Sequence, residues 1–304
     1  MVDNNMVPPQ GFAGGQQVMP AAPQGNPLAK HLRQPKIYIK LPSGGKYWPT
    51  GSLEMTETGE IPVFSMTAKD EITFKTPDAL LNGQATVDVI QSCIPNIKDA
   101  WQLPSVDLDA VLIAIRMASF GEKLDIEVPV PGTDIKKDFT FNLQQLYDNY
   151  ISKEFTDTFD INGFRVQIKP LNYKTITAQA IKAFEEQRII SVVNDDSIED
   201  SVKMERFQKS FKNLTDLNVS LIIDSVVAIQ PAGEDPVTNA RYLKEFLENA
   251  EASIFNAIKA HIEGERSKFT QPPVEVEATE EEIKAGAPAK YTIPITFDQS
   301  NFFG

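Results

Sequence analysis

Residues 105–121, SVDLDAVLIAIRMASFG, constrain the fold more than any other stretch of this chain. Leu108, Val111, Leu112, Ile115 and Ser119/Phe120 follow the i, i+3, i+4, i+7 spacing of a buried helical face. The spacing predicts a helix starting near residues 105–107 and stopped at Gly121, where positive φ is tolerated. A preceding helix is predicted from Thr76-Pro77-Asp78, with Thr76 as N-cap and Pro77 at the first helical position. Asn82-Gly83-Gln84 then falls inside that helix. An interior Gly costs about 1 kcal/mol relative to Ala, so close helix approach or contact with a partner is required to explain it.

Upstream, residues 36–40 alternate polar and apolar as a half-buried strand does. Pro42-Ser43-Gly44-Gly45 is a turn signal, and residues 53–57 and 60–64 flank another, predicting a hairpin. Gly44-Gly45-Lys46 lacks the first Gly and the Ser/Thr of a phosphate loop. Downstream, residues 124–130 and 139–143 alternate around Pro131-Gly132-Thr133-Asp134 and predict a hairpin, followed by the helical run NLQQLYDNYI. Residues 155–159 and 164–168 form another hairpin around Asn162-Gly163, a tight-turn pair.

From Tyr173 the pattern turns helical. A helix to about Val193 presents Ile176, Ala180, Ala183 and Phe184. A long helix then carries Phe207, Phe211, Leu214, Leu221, Ile222 and Ser225 inward until Pro231-Ala232-Gly233. A shorter helix starts at Asp235-Pro236, and a last one carries Ile254, Phe255, Ile258 and Ile262. The resulting reading is an α+β fold. Residues 1–34 form a disordered arm rich in Pro, Gly and Gln. Residues 35–170 form an α+β domain of β-hairpins with two core helices, and 171–270 a mainly helical region. Residues 271–290 are an acidic linker, and 291–304 a terminal edge strand with an aromatic tail. Phe302 and Phe303 require burial, either on this chain or in a partner.

Composition excludes several functions. Lys and Arg number 29 against 42 Asp and Glu, a net charge of −13, which argues against binding a phosphate backbone. The single cysteine, Cys93, permits no intrachain disulfide and reads as a small buried hydrophobe. No apolar run reaches the roughly 20 residues of a membrane span, and the N-terminus shows no signal pattern.

Chemistry-bearing patterns are sparse. Of the two histidines, His31 lies in the arm and His261 on a helix, and no zinc spacing occurs. Asp107 and Asp109 stand at a helix start, where capping and the helix dipole favour carboxylates over a metal role. Glu186, Asp195 and Ser201 approach the spacing of a phage-lysozyme Glu/Asp/Thr set. However, Glu186 sits in an acidic helix face and Ser replaces Thr. The residues therefore predict no enzyme, no cofactor and no metal.

The runs LPSGGKYW, MTAKDE, TPDALLNG, DLDAVLIAIRMASFG and the ending FDQSNFFG resemble, in this order, the baseplate hub and hub-assembly proteins of T-even-type contractile-tailed phages. The resemblance implies a non-enzymatic role in the baseplate hub, as a subunit or as a transient assembly factor. It implies other hub or tail proteins as partners, the host cytoplasm as the place of assembly, and possible residence in the virion tail. Where some relatives carry a Cys-Pro-x-Cys-like turn, this chain has Val128-Pro129-Val130-Pro131-Gly132, so no metal knuckle carries over. Asn82, Gly83, Phe302 and Phe303 are the predicted partner contacts.

Overall fold

The computed structural model describes residue 28 and residues 31–76, 83–192 and 199–293. The chain divides between Met1–Gln34 and Pro35–Gly304. Of the predicted arm, only Leu28 and residues 31–34 are described; the His31 amide donates to the Leu28 carbonyl at 2.9 Å.

In the second unit the order is β1 (Pro35–Ile39), β2 (Ile61–Phe64), α1 (Ala68–Phe74), α2 (Gln84–Cys93), α3 (Ser105–Phe120), β3 (Lys123–Pro129), β4 (Lys136–Asn142), α4 (Leu143–Ile151), β5 (Thr158–Ile161) and β6 (Phe164–Ile168). It continues with α5 (Tyr173–Val192), α6 (Asp200–Ser225), β7 (Val226–Pro231), α7 (Ala240–Asn249), α8 (Ala252–Lys268), β8 (Val274–Glu277), α9 (Glu280–Lys284) and β9 (Lys290–Ile293). The fold is α+β with small antiparallel sheets.

The first core forms around α3. Ala110, Val111, Ile113, Ala114 and Ile115 are all fully buried, so neighbours surround this helix instead of covering one stripe. Leu108 is half-buried and Phe120 exposed. Gly121 ends the helix at φ 90°. Cys93 is buried in this core, on α2.

Strand β2 pairs with β1, not with residues 53–57. The register Ile37↔Val63 and Ile39↔Ile61 places branched apolar residues together, whereas Leu53 bridges to Ile97. The predicted helix from Thr76 is described only from Gln84 onward. Gly83 is the residue before α2, in the left-handed conformation at φ 78°, and so does not lie in a helix interior. The β3–β4 hairpin and α4 form where predicted, and Asn142 caps α4 by accepting from the Gln145 amide at 3.0 Å.

The second core lies under the sheet β5-β6-β7. The turn Asn162-Gly163 has φ of 45° and 82°. The long helix stops at Ser225, and residues predicted to extend it form β7 beside β6. The β-branched run Val226, Val227, Ile229 suits a pleated, half-buried surface better than a helix. This pairing also joins the two regions that were divided at residue 170. Asp235-Pro236 does not open a helix: Val237 exchanges backbone hydrogen bonds with Ile229, and α7 begins at Ala240 behind its cap Asn239. Leu243 and Leu247 of α7 and Ile258 and Ile262 of α8 fill the core, while Tyr242 is exposed.

Residues 271–290, read as a linker, instead carry β8 and α9 and pair with β9. Thr279 forms a capping box with Glu282. Tyr291, Ile293 and Ala287 bury Val130 of the β3–β4 turn in a third, small core. The Gly132 and Gly286 turns meet so closely that a Cβ on Gly132 would lie 2.8 Å from the Gly286 carbonyl oxygen. Packing thus holds this turn.

Candidate interaction surfaces

The carboxylates at the start of α3 act as internal clamps. Asp107 is not a cap; the residue before the helix is Pro104. Asp107 is fully buried, and accepts from the Ser43 amide at 2.8 Å, the Ser43 hydroxyl at 2.5 Å and the Trp48 indole N–H at 2.8 Å. It thereby ties LPSGGKYW to the helix. Two residues on, Asp109 accepts from the Tyr150 hydroxyl of α4 at 2.9 Å. Burial pushes Asp107 up to about 6 against the donors from Ser43 and Trp48. Burial likewise pushes Asp109 up to about 6 against Tyr150 and Lys153. Lys46, in the glycine turn, pairs with Asp157 at 2.6 Å.

Of the predicted partner contacts, Asn82, Phe302 and Phe303 lie outside the described residues. Gly83 is buried, and a Cβ there would meet Thr177 Cγ2 at 3.0 Å and the Tyr173 hydroxyl at 3.1 Å, both on α5. Of the lysozyme-like set, Asp195 lies outside the described residues. Glu186 accepts from Asn213 Nδ2 at 2.7 Å, and Ser201 is exposed on α6. Hydrogen bonds from Ser210 and Asn213 hold the Glu186 carboxyl below its usual range. His261 stacks on Phe159 with ring centroids 3.8 Å apart.

The sequence reading missed the polarity of α5 and α6. Gln179 Nε2 donates to Ser220 Oγ at 3.3 Å, and Glu186 pairs with Asn213. Later residues of α5 thus meet earlier residues of α6, so the helices run antiparallel. Their seam carries Gln179, Glu186, Ser210, Asn213 and Ser220. The aromatic residues assigned to the interior face out instead: Phe184 is 59% exposed, Phe207 41% and Phe211 61%, with Met204 beside them at 58%. Small polar residues at 210, 213 and 220, with Leu217 between the last two, were the signal for the seam.

Among the described residues, no group of three or more His, Cys, Asp or Glu side chains is placed to hold a metal ion. Among them, no helix is long and apolar enough to cross a membrane.

No curated protein and no solved structure was found to match this chain. The model of the T4 bacteriophage base plate protein family matches residues 34–284, which take in both larger cores and, of the buried residues of the third, Val130. The chain belongs to the T4 bacteriophage base plate protein family.

Proposed function

We propose that this protein is a non-enzymatic component of the central hub of the baseplate and acts through contacts with neighbouring hub and tail proteins. The observation that carries the reading is the family match over residues 34–284. The strongest motifs inside it are spent on folding. Asp107 of DLDAV holds LPSGGKYW, and Asp70 of MTAKDE accepts from the Thr67 amide at 2.7 Å and Ser92 Oγ at 3.0 Å. Donors of their own chain thus give both carboxylates a role in folding. Net charge supports protein partners over nucleic acid. Contacts at Asn82, Phe302 and Phe303 belong to this proposal, whereas Gly83 is buried against Thr177 and Tyr173 of its own chain. Assembly takes place in the host cytoplasm, and the chain stays in the virion.

Cross-linking of the tagged protein in infected cells tests the reading. Hub and tail proteins are the expected neighbours, and their absence among the cross-links contradicts it. In a peptidoglycan turbidity assay the purified protein is expected to leave the suspension unchanged. Clearing that Glu186→Gln abolishes would assign an enzyme instead.

A further inference from the structure

We propose that residues 42–48, the turn after β1, form a strap that couples the second core to α3, so that loosening one core loosens the other. Part of the strap is anchored in the first core. The Ser43 amide and hydroxyl and the Trp48 indole N–H all donate to Asp107 of α3. Between these anchors, Lys46 and Tyr47 reach the chain that enters the second core. Lys46 Nζ lies 2.6 Å from Asp157 Oδ2, and the Tyr47 hydroxyl donates to the same oxygen at 3.3 Å.

The strap is also braced within itself. The Gly44 amide donates to the Leu41 carbonyl at 2.9 Å and the Lys46 amide to the Ser43 carbonyl at 3.1 Å. The Gly45 amide donates to Ser43 Oγ at 3.0 Å. Gly45 has φ 83°, and a Cβ there would lie 3.3 Å from Met55 Cγ. A turn held at so many points passes a displacement on through its bonded network.

Its grip falls where the chain crosses from one core to the other. Phe155 packs against both cores, with its ring 5.5 Å from Tyr47 and 6.4 Å from Phe269. The Thr156 amide donates at 2.8 Å to Glu265 of α8, which is itself buried. The Asp157 carbonyl accepts from the Ile168 amide of β6 at 2.7 Å, while the strap holds its carboxylate. Consecutive residues of the crossing are therefore gripped from both sides, and the crossing is not a free hinge. The Lys46 side chain is 60% exposed, and such a pair adds little to stability by itself. The strap is therefore recognised by how its variants combine, not by the cost of any one of them.

Native-state hydrogen exchange of the full chain, read at residues 158–168 and 252–268, tests the coupling. Lys46→Met/Tyr47→Phe frees Asp157 from the strap and should speed exchange there by about three- to fivefold. Trp48 packs against the first core, yet Trp48→Phe should speed exchange at the same residues of the second. The triple variant should exchange no faster than the faster of the two, because both break one connection. Ser43→Ala, a smaller cut at the same anchor, takes the place of Trp48→Phe if circular dichroism shows that variant unfolded. Second-core exchange that ignores the anchor variant, or effects that multiply in the combined variant, overturns the proposal.

Discussion

The Trp48 indole nitrogen donates to Asp107 Oδ2 at 2.8 Å across 59 residues of sequence, and this bond joins the N-terminal turn to the central helix. Removing Trp48 leaves the buried Asp107 with its Ser43 donors alone, and removing Asp107 takes the acceptor from the Trp48 indole and from both Ser43 donors. Trp48→Phe is expected to lower stability by about 1–3 kcal/mol, and Asp107→Ala by about 3–5 kcal/mol. Urea unfolding followed by circular dichroism measures both. Changes within about 0.5 kcal/mol would show that the clamp does not hold the turn.

Asp109 makes stability depend on pH. Its carboxyl is raised from 3.8 to about 6, chiefly by burial. Because the folded state holds this proton more tightly than the unfolded chain, the contribution is fully present below about pH 4 and lost as pH rises through 6. The full effect is on the order of 2–3 kcal/mol. Asp109→Asn cannot titrate. The stability of the native chain relative to this variant should therefore fall between about pH 4 and pH 6, as read from urea midpoints. A constant difference would show that Asp109 has its ordinary affinity for protons.

Gly83 combines positive φ with close neighbours. Gly83→Ala is expected to cost about 1–2 kcal/mol from the backbone conformation, and more from the contact with Thr177. Gly83→Leu should unfold the region around α2 and α5. Thr177→Ala should recover part of the alanine loss. Thermal melts of the single and double variants decide the matter, and full stability of Gly83→Leu would contradict the packing.

Gly132 and Gly286 meet backbone to backbone. Gly132→Ala should push the C-terminal strands off the β3–β4 turn, since the new Cβ would lie 2.8 Å from a carbonyl oxygen that cannot swing aside as a side chain does. Hydrogen exchange at residues 274–293 should accelerate while exchange at α3 stays slow. Uniform acceleration would mean that the third core is not a separate cooperative unit.

Much of the fold was legible where local period and turn chemistry agree. The hairpin around Asn162-Gly163, the β3–β4 pair, α3 and α4 all have residue patterns that match their structure at short range. What was not legible depends on distant partners. Val226–Pro231 extends the apolar pattern of a helix, but its β-branched residues pair as a strand with β6, whose place beside them the local sequence does not reveal. Asp107 reads as a helix-start carboxylate until Ser43 and Trp48 surround it. Phe207 and Phe211 were placed inside because aromatic residues usually define a buried face, whereas α5 and α6 meet through polar groups. Asn82, Phe302 and Phe303 lie outside the described residues, so their proposed part in docking rests on the sequence alone.

Quantitative mass spectrometry of purified virions, and of baseplates released from them, tests the central claim most directly. A hub component should appear in both preparations at a fixed ratio to the other baseplate proteins. Presence in assembly intermediates but absence from finished baseplates would assign a transient assembly factor. Absence from intermediates and baseplates alike would contradict a baseplate role.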